Sequence, residues 1–176
     1  MNSLIIYSTT DGQTKKICET IKDTSENKNF YEILSLEEAF NIEIDKYEQI
    51  IIGASIRYGK HNSRVYKFIK NNKDALDKKK SAFFSVNVVA RKPEKNTPET
   101  NPYIKKFLKK TKWRPKKLGV FAGKIDYPNL GIINKNVIRL IMFVTNGPTN
   151  INNTYEFTDW QSVKKFTREF DKMKII

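Results

Sequence analysis

The chain has one cysteine, Cys18, one histidine, His61, and 19 acidic residues against 33 Lys and Arg in 176 positions. A lone thiol excludes an internal disulfide framework or a cysteine-built metal site, and it suits folding in a reducing compartment. With His61 the only histidine, no separate acid–base machinery stands out, and no metal is expected. Met1 is followed within three residues by a strand pattern, which leaves no room for a signal peptide, so a cytoplasmic protein is expected. The shortage of acids leaves a net charge of +14 and a pI near 9.7. That imbalance points to an anionic partner: nucleic acid, a membrane surface or an anionic substrate. It is uneven, since Arg91 to Lys117 holds eleven Lys or Arg against two Glu, whereas Glu19 to Glu48 holds nine acids and three lysines. A general drift toward lysine in a sequence rich in Lys, Asn and Ile is the competing explanation for part of the charge.

The length suits one domain over residues 1–176 with a core that stands without disulfides. The stretch Tyr7 to Lys16, YSTTDGQTKK, is its organising feature. The apolar run Leu4 to Tyr7 precedes it, and Ile17, Cys18 and Ile21 follow at helical spacing, so it reads strand, polar loop, helix. Hydroxyls from Thr9, Thr10 and Thr14, the small Gly12 and the free N–H groups of a helix start then converge where the helix dipole favours an anion. The spacing matches neither the dinucleotide fingerprint nor the lysine-bearing nucleotide loop. A plain polar turn with Asp11 capping the helix is the competing reading.

Further along, residues 30–34 read as an edge strand, and Leu36 to Glu48 as a helical turn or two. Gln49 to Gly53 has the continuous β-branched character of a strand buried on both faces, with a loop from Ala54 to His61 after it. A helix carries Val65, Phe68 and Ile69; Ala82 to Val86 is another buried strand and opens into a loop from Asn87 to Asn101. Asn101-Pro102 starts a helix with proline at its first position, and Leu118 to Ala122 is a strand. This alternation predicts an α/β fold, a parallel sheet with helices on both faces and ligand loops at the carboxyl ends of its strands.

The last third breaks the rhythm. Residues 123–153 form an insertion, followed by a short strand at Thr154 to Phe157 and a capping box from Thr158 to Gln161 that opens the final helix. Inside the insertion Ile133, Val137, Leu140, Ile141 and Val144 form a stripe, while Ile138, Met142 and Phe143 make the C-terminal half of the helix apolar nearly all round. It is too short to span a bilayer. The two readings are a helix lying on a membrane, with Lys135 and Arg139 at headgroup level, and a helix packed on the sheet or a partner.

Together, STTDGQT at Ser8 to Thr14, IGASIRYGKHNS at Ile52 to Ser63, FFSVNVVARKPEKNTPETNPY at Phe83 to Tyr103, WRP at Trp113 to Pro115 and TDW at Thr158 to Trp160 resemble the flavodoxin-like protoporphyrinogen oxidases of bacteria. The resemblance implies a doubly wound, five-stranded parallel sheet in the order 2-1-3-4-5. It implies FMN, with Thr9, Thr10, Asp11, Gly12, Gln13 and Thr14 at the phosphate. Ser55, Ile56, Arg57, Tyr58 and Gly59, with Phe84, Ser85, Val86, Asn87 and Val88, flank the ring. Asp11 stands where a flavodoxin usually has threonine. The implied reaction is oxidation of protoporphyrinogen IX to protoporphyrin IX, with electrons passed to menaquinone or ubiquinone by a protein held peripherally on the cytoplasmic face of the inner membrane.

Arg57, Arg91 and Lys92 are the candidates to clamp the substrate propionates. His61 is either a general base beside the flavin or a surface histidine near the cleft. An electron-transfer flavodoxin is the alternative function. A nucleic-acid-binding protein, with Lys105, Lys106, Lys109, Lys110, Lys112 and Arg114 as phosphate track, is disfavoured because that basic cluster offers little aromatic surface besides Trp113 and no nucleic-acid motif accompanies it.

Overall fold

The computed structural model describes residues 2–174, apart from the side chain of Asn29. Strands β1 (Ser3–Ser8), β2 (Tyr31–Ser35), β3 (Gln49–Arg57), β5 (Lys80–Val86) and β6 (Lys117–Phe121) pair in parallel in the order β2-β1-β3-β5-β6. Counted as the five parallel strands alone, this is the expected 2-1-3-4-5 order. Helices α1 (Gln13–Thr24) and α7 (Trp160–Asp171) cover one face of the sheet. The other carries α2 (Leu36–Ala39), α3 (Ser63–Asn71), α4 (Lys73–Lys78) and α5 (Pro102–Thr111). Each strand therefore divides its side chains between two cores. Ile5, Ile51 and Phe84 meet α1 and α7, while Leu4, Ile50 and Phe83 face the opposite helices. Burial on both faces is the physical reason the central strands read as unbroken apolar runs.

Strand β3 runs four residues beyond the expected end at Gly53, then turns through Tyr58-Gly59 into a short antiparallel β4 (Lys60–His61). Both turn residues have positive φ, 49° for Tyr58 and 73° for Gly59, which is the backbone a tight two-residue hairpin demands. The expected loop is thus a hairpin extending the sheet edge. At α5, Asn101 caps as anticipated, its Oδ1 accepting from the N–H of Tyr103 and Ile104 ahead of Pro102. The final helix differs: Asp159, not Thr158, accepts from the N–H of Gln161 and Ser162, and no Thr158–Gln161 box forms. Thr158 is buried and engaged elsewhere.

The insertion contains β7 (Lys124–Asp126) and α6 (Ile132–Val144), and β8 (Thr154–Glu156) follows it. β8 pairs antiparallel with β7 and takes no place in the parallel sheet. A small third core of Ile125, Tyr127 and Met142, with Ile138, Tyr155 and Phe157 against it, holds this unit together. Trp113, the tryptophan of the basic cluster, is fully buried. At Gly53 a Cβ would sit 2.1 Å from the Phe84 ring, so β3 must carry glycine there for β5 to pack. Gly53→Ala is expected to destabilise the fold by about 1–3 kcal/mol, read as a lower urea midpoint at unchanged slope.

Candidate functional site

The carboxyl ends of the central strands stand level, because the register pairs Ser8 with Ala54, Ala54 with Ser85, and Val86 with Phe121. Their loops enclose a cleft of about 220 Å³. One end is the β1–α1 loop. Gly12, at φ 78°, starts α1 with no side-chain cap, so the first N–H groups of the helix stay open. Asp11 does not cap; its Oδ2 pairs with Arg57 Nη1 at 3.3 Å. Thr9 and Thr14 line the cleft, and the Oγ1 of each is buried with no hydrogen-bond partner. A buried hydroxyl without a partner costs about 1–3 kcal/mol, so two in one loop mark a place where an acceptor belongs. Thr10 is exposed and outside the lining.

The middle of the cleft is walled by Ser55 to Gly59 and by Val86, Asn87 and Val88. Two expected residues are absent from that wall. Phe84 is completely buried, its ring under Gly53 and against Phe121 and Phe166. Ser85, also at 0% exposure, bonds to His61 and Asn87. Strand alternation sends both into the cores, a consequence of period two that a contiguous reading of residues 84–88 overlooks.

The far end is roofed by α6, from which Asn134, Val137, Ile138, Ile141 and Met142 line the space. Two polar contacts hold this roof. The Tyr58 hydroxyl donates to Asn134 Oδ1 at 2.5 Å, and Arg91 Nη2 donates to the Thr145 carbonyl at 2.9 Å and its hydroxyl at 2.7 Å. Arg91 is thereby a brace at the helix C-terminus. Lys92 lies outside, along a neighbouring groove with Pro93 and Gly147. Tyr103, the last residue of the Phe83 to Tyr103 stretch, also lines the cleft, as do Lys124 and Asp126, which carried no sequence signal because only the fold brings them there. Hydrogen bonds from Asn129 and Thr154 hold the Asp126 carboxyl below the usual carboxylate range.

The helix divides its apolar surface unevenly. Met142 is buried and Ile138 half-buried, whereas Ile133, Leu140, Phe143 and Val144 are 79%, 64%, 72% and 72% exposed. The insertion helix therefore packs inward by one side and leaves a broad apolar face open.

His61 is not at the surface. It is 3% exposed, outside the cleft lining, with Nε2 3.0 Å from Ser85 Oγ and its ring edge-on to Phe83 and Phe107. Burial, with a smaller push from Lys106, brings its pKa down from 6.5 to about 4. The unfolded chain therefore binds a proton below about pH 6.5 that the folded chain refuses until about pH 4. Stability contributed by neutral His61 should fall across that window by up to about 3 kcal/mol. Urea titrations at pH 7 and 4.5 are expected to show a steeper loss in the parent than in His61→Gln.

The family model described as Flavodoxin domain matches residues 4–152. The chain is 39% identical over 173 residues to protoporphyrinogen IX dehydrogenase (quinone) of Escherichia coli, covering 96% of this chain and 94% of that one. The same enzyme of Leishmania major is 39% identical over 169 residues, 95% of this chain and 73% of that one. Among solved structures, an archaeal flavodoxin aligns at TM-score 0.53 and 18% identity over 98% and 97% of the two chains, a likeness of fold. These similarities span nearly the whole chain, and it belongs to the flavodoxin family, within its protoporphyrinogen IX dehydrogenase (quinone) branch.

Proposed function

We propose that the protein binds FMN in this cleft and oxidises protoporphyrinogen IX to protoporphyrin IX, delivering the electrons to menaquinone or ubiquinone. Membership of the family supports the reaction. The observation that carries the cofactor is the pair of buried, unpartnered hydroxyls of Thr9 and Thr14 beside the uncapped start of α1. They suit one terminal phosphate, and the loop lacks the glycines that bring a backbone up to a pyrophosphate. Flavin held there supplies two-electron acceptance from the substrate and donation to a quinone. The chain's own part is positioning. Ser55 to Gly59 and Val86 to Val88 wall the ring, and the underside of α6 excludes water from an apolar macrocycle. Arg57, oriented by Asp11 and stacked 5.2 Å from the Tyr58 ring, is one of two guanidiniums in the cleft lining and the one that meets a propionate. Arg91, already forked onto Thr145, braces the roof instead.

The open face of α6 fits peripheral attachment to the cytoplasmic side of the inner membrane, where the quinone resides. No helix among the described residues is long and apolar enough to cross a bilayer. Ile133, Leu140 and Val144 enter the acyl boundary, Lys135 and Arg139 take headgroup level, and the net positive charge favours anionic lipid.

The purified protein should be yellow with FMN, bleached by protoporphyrinogen IX without oxygen, and recoloured by menaquinone or ubiquinone. A chain that takes up no FMN, or whose reduced flavin no quinone reoxidises, overturns the assignment. Thr14→Val should weaken FMN binding by about 1–3 kcal/mol without lowering the stability of the apoprotein, since the hydroxyl bonds to nothing in the fold. Ile133→Asp with Leu140→Asp should abolish most flotation with anionic liposomes while turnover on detergent-solubilised substrate persists. Loss of FMN or of folding in that double variant would place this face inside the protein.

A further inference from the structure

The loop that opens α1 is tied to a segment some 145 positions away in the chain. Gln13 Nε2 donates to Thr158 Oγ1 at 2.8 Å, and Thr158 Oγ1 donates onward to the Ala122 carbonyl at 2.7 Å. All three residues are buried. One residue either side, the Phe157 N–H donates to the Gly123 carbonyl at 3.0 Å. These two bonds close the neck of the insertion, since residues 122 and 123 lead into it and 157 and 158 lead out. Outside the neck, Lys16 of α1 pairs with Glu156 at 3.1 Å and lies 4.8 Å from the Trp160 ring. The first turn of α1 is thus strapped to the neck in the interior and at the surface.

The hydroxyl of Thr158 has one proton, and the Ala122 carbonyl takes it. Its oxygen can then only accept from Gln13, which fixes the Gln13 amide with its nitrogen toward Thr158. The next residue, Thr14, belongs to the cleft lining, and its hydroxyl is buried without a hydrogen-bond partner. A side chain at one position of a helix start held this firmly determines where its neighbour's hydroxyl and the first N–H groups lie.

We infer that Thr158 is a positioning residue for the phosphate site: it holds Gln13 so that Thr14 and the N-terminus of α1 stand ready for the phosphate of a flavin mononucleotide, and it ties that site to the neck of the insertion that roofs the cleft. This rests on the FMN reading above. It also explains the position of the Thr-Asp-Trp motif, in which Asp159 caps α7, Trp160 stacks with Lys16, and Thr158 faces the other way into the phosphate loop.

The test compares FMN with riboflavin, which has the same ring and no phosphate, by fluorescence titration of the apoprotein. The parent chain should bind FMN more tightly than riboflavin. Thr158→Val should lose about tenfold in FMN affinity, the weight of one such hydrogen bond, with riboflavin affinity held within about twofold. Thr158→Ser should restore FMN, which a packing role for the methyl would not allow. Equal losses for the two ligands, no loss for either, or failure of serine to rescue overturns the inference. If Thr158→Val does not fold, Gln13→Met removes the donor from the other side, and an unchanged preference for FMN over riboflavin in it is equally contrary. A parent chain with no preference for FMN would instead remove the cofactor reading itself.

Discussion

The parallel pairing of β1, β3, β5 and β6 is the constraint from which the rest of the molecule follows. Parallel neighbours need a crossover between them, so every strand ends at the same edge and every loop that follows emerges there. The level register across Ser8, Ala54, Ser85 and Val86 brings a hydroxyl loop, a hairpin and the start of a long connection to one place. Holding that edge rigid is the task of two apolar cores, one on each face, with Gly53 giving up its side chain so that Phe84 can fill the space between strands and helices.

The cleft at that edge changes character along its length. Unpaired hydroxyls and helix N–H groups make one end a site for an anion; the other end, under α6, is lined by Val137, Ile138, Ile141 and Met142 and suits something flat and apolar. An aromatic ring tethered by a phosphate, with a macrocycle against it, matches that gradient. The roof belongs to the insertion and has its own small core, against which Val88 and Phe157 pack. Hydrogen bonds from Tyr58 to Asn134 and from Arg91 to Thr145, and those of the neck at Phe157 and Thr158, tie it to the rest of the fold.

Charge is placed with the same economy. Tyr103, near the start of α5, lines the cleft, and the helix runs back toward the opposite edge of the sheet. Lys109, Lys110, Lys112 and Arg114, toward and beyond the end of that helix, are exposed and outside the cleft lining. Within the cleft Arg57 pairs with Asp11 and Lys124 with Asp126 at 3.5 Å, while Arg91 donates to the Val88 and Thr145 carbonyls. A long-range positive field attracts an anionic substrate or lipid, while local pairing keeps single charges from being stranded.

By itself the sequence determined the parallel sheet, the loop at Thr9 to Thr14, the Asn101-Pro102 helix start and the family. Each of these is written in neighbouring residues: an apolar run, a hydroxyl cluster between strand and helix, a cap followed by proline. Only the tertiary structure decided the remainder. Strand β3 passes its expected end because β4 folds back on it, and Phe84 and Ser85 leave the ring wall because strand alternation is read against two cores at once. Arg91 braces a helix, His61 is buried under Ser85, and Thr158 joins Gln13 across 145 residues of chain instead of capping the next helix. The two faces of α6 have nearly the same composition, so no pattern of apolar residues could say that Met142 turns in and Leu140 turns out. That choice depends on what lies beneath the helix, and only folding brings Ile125, Tyr127 and the cleft there.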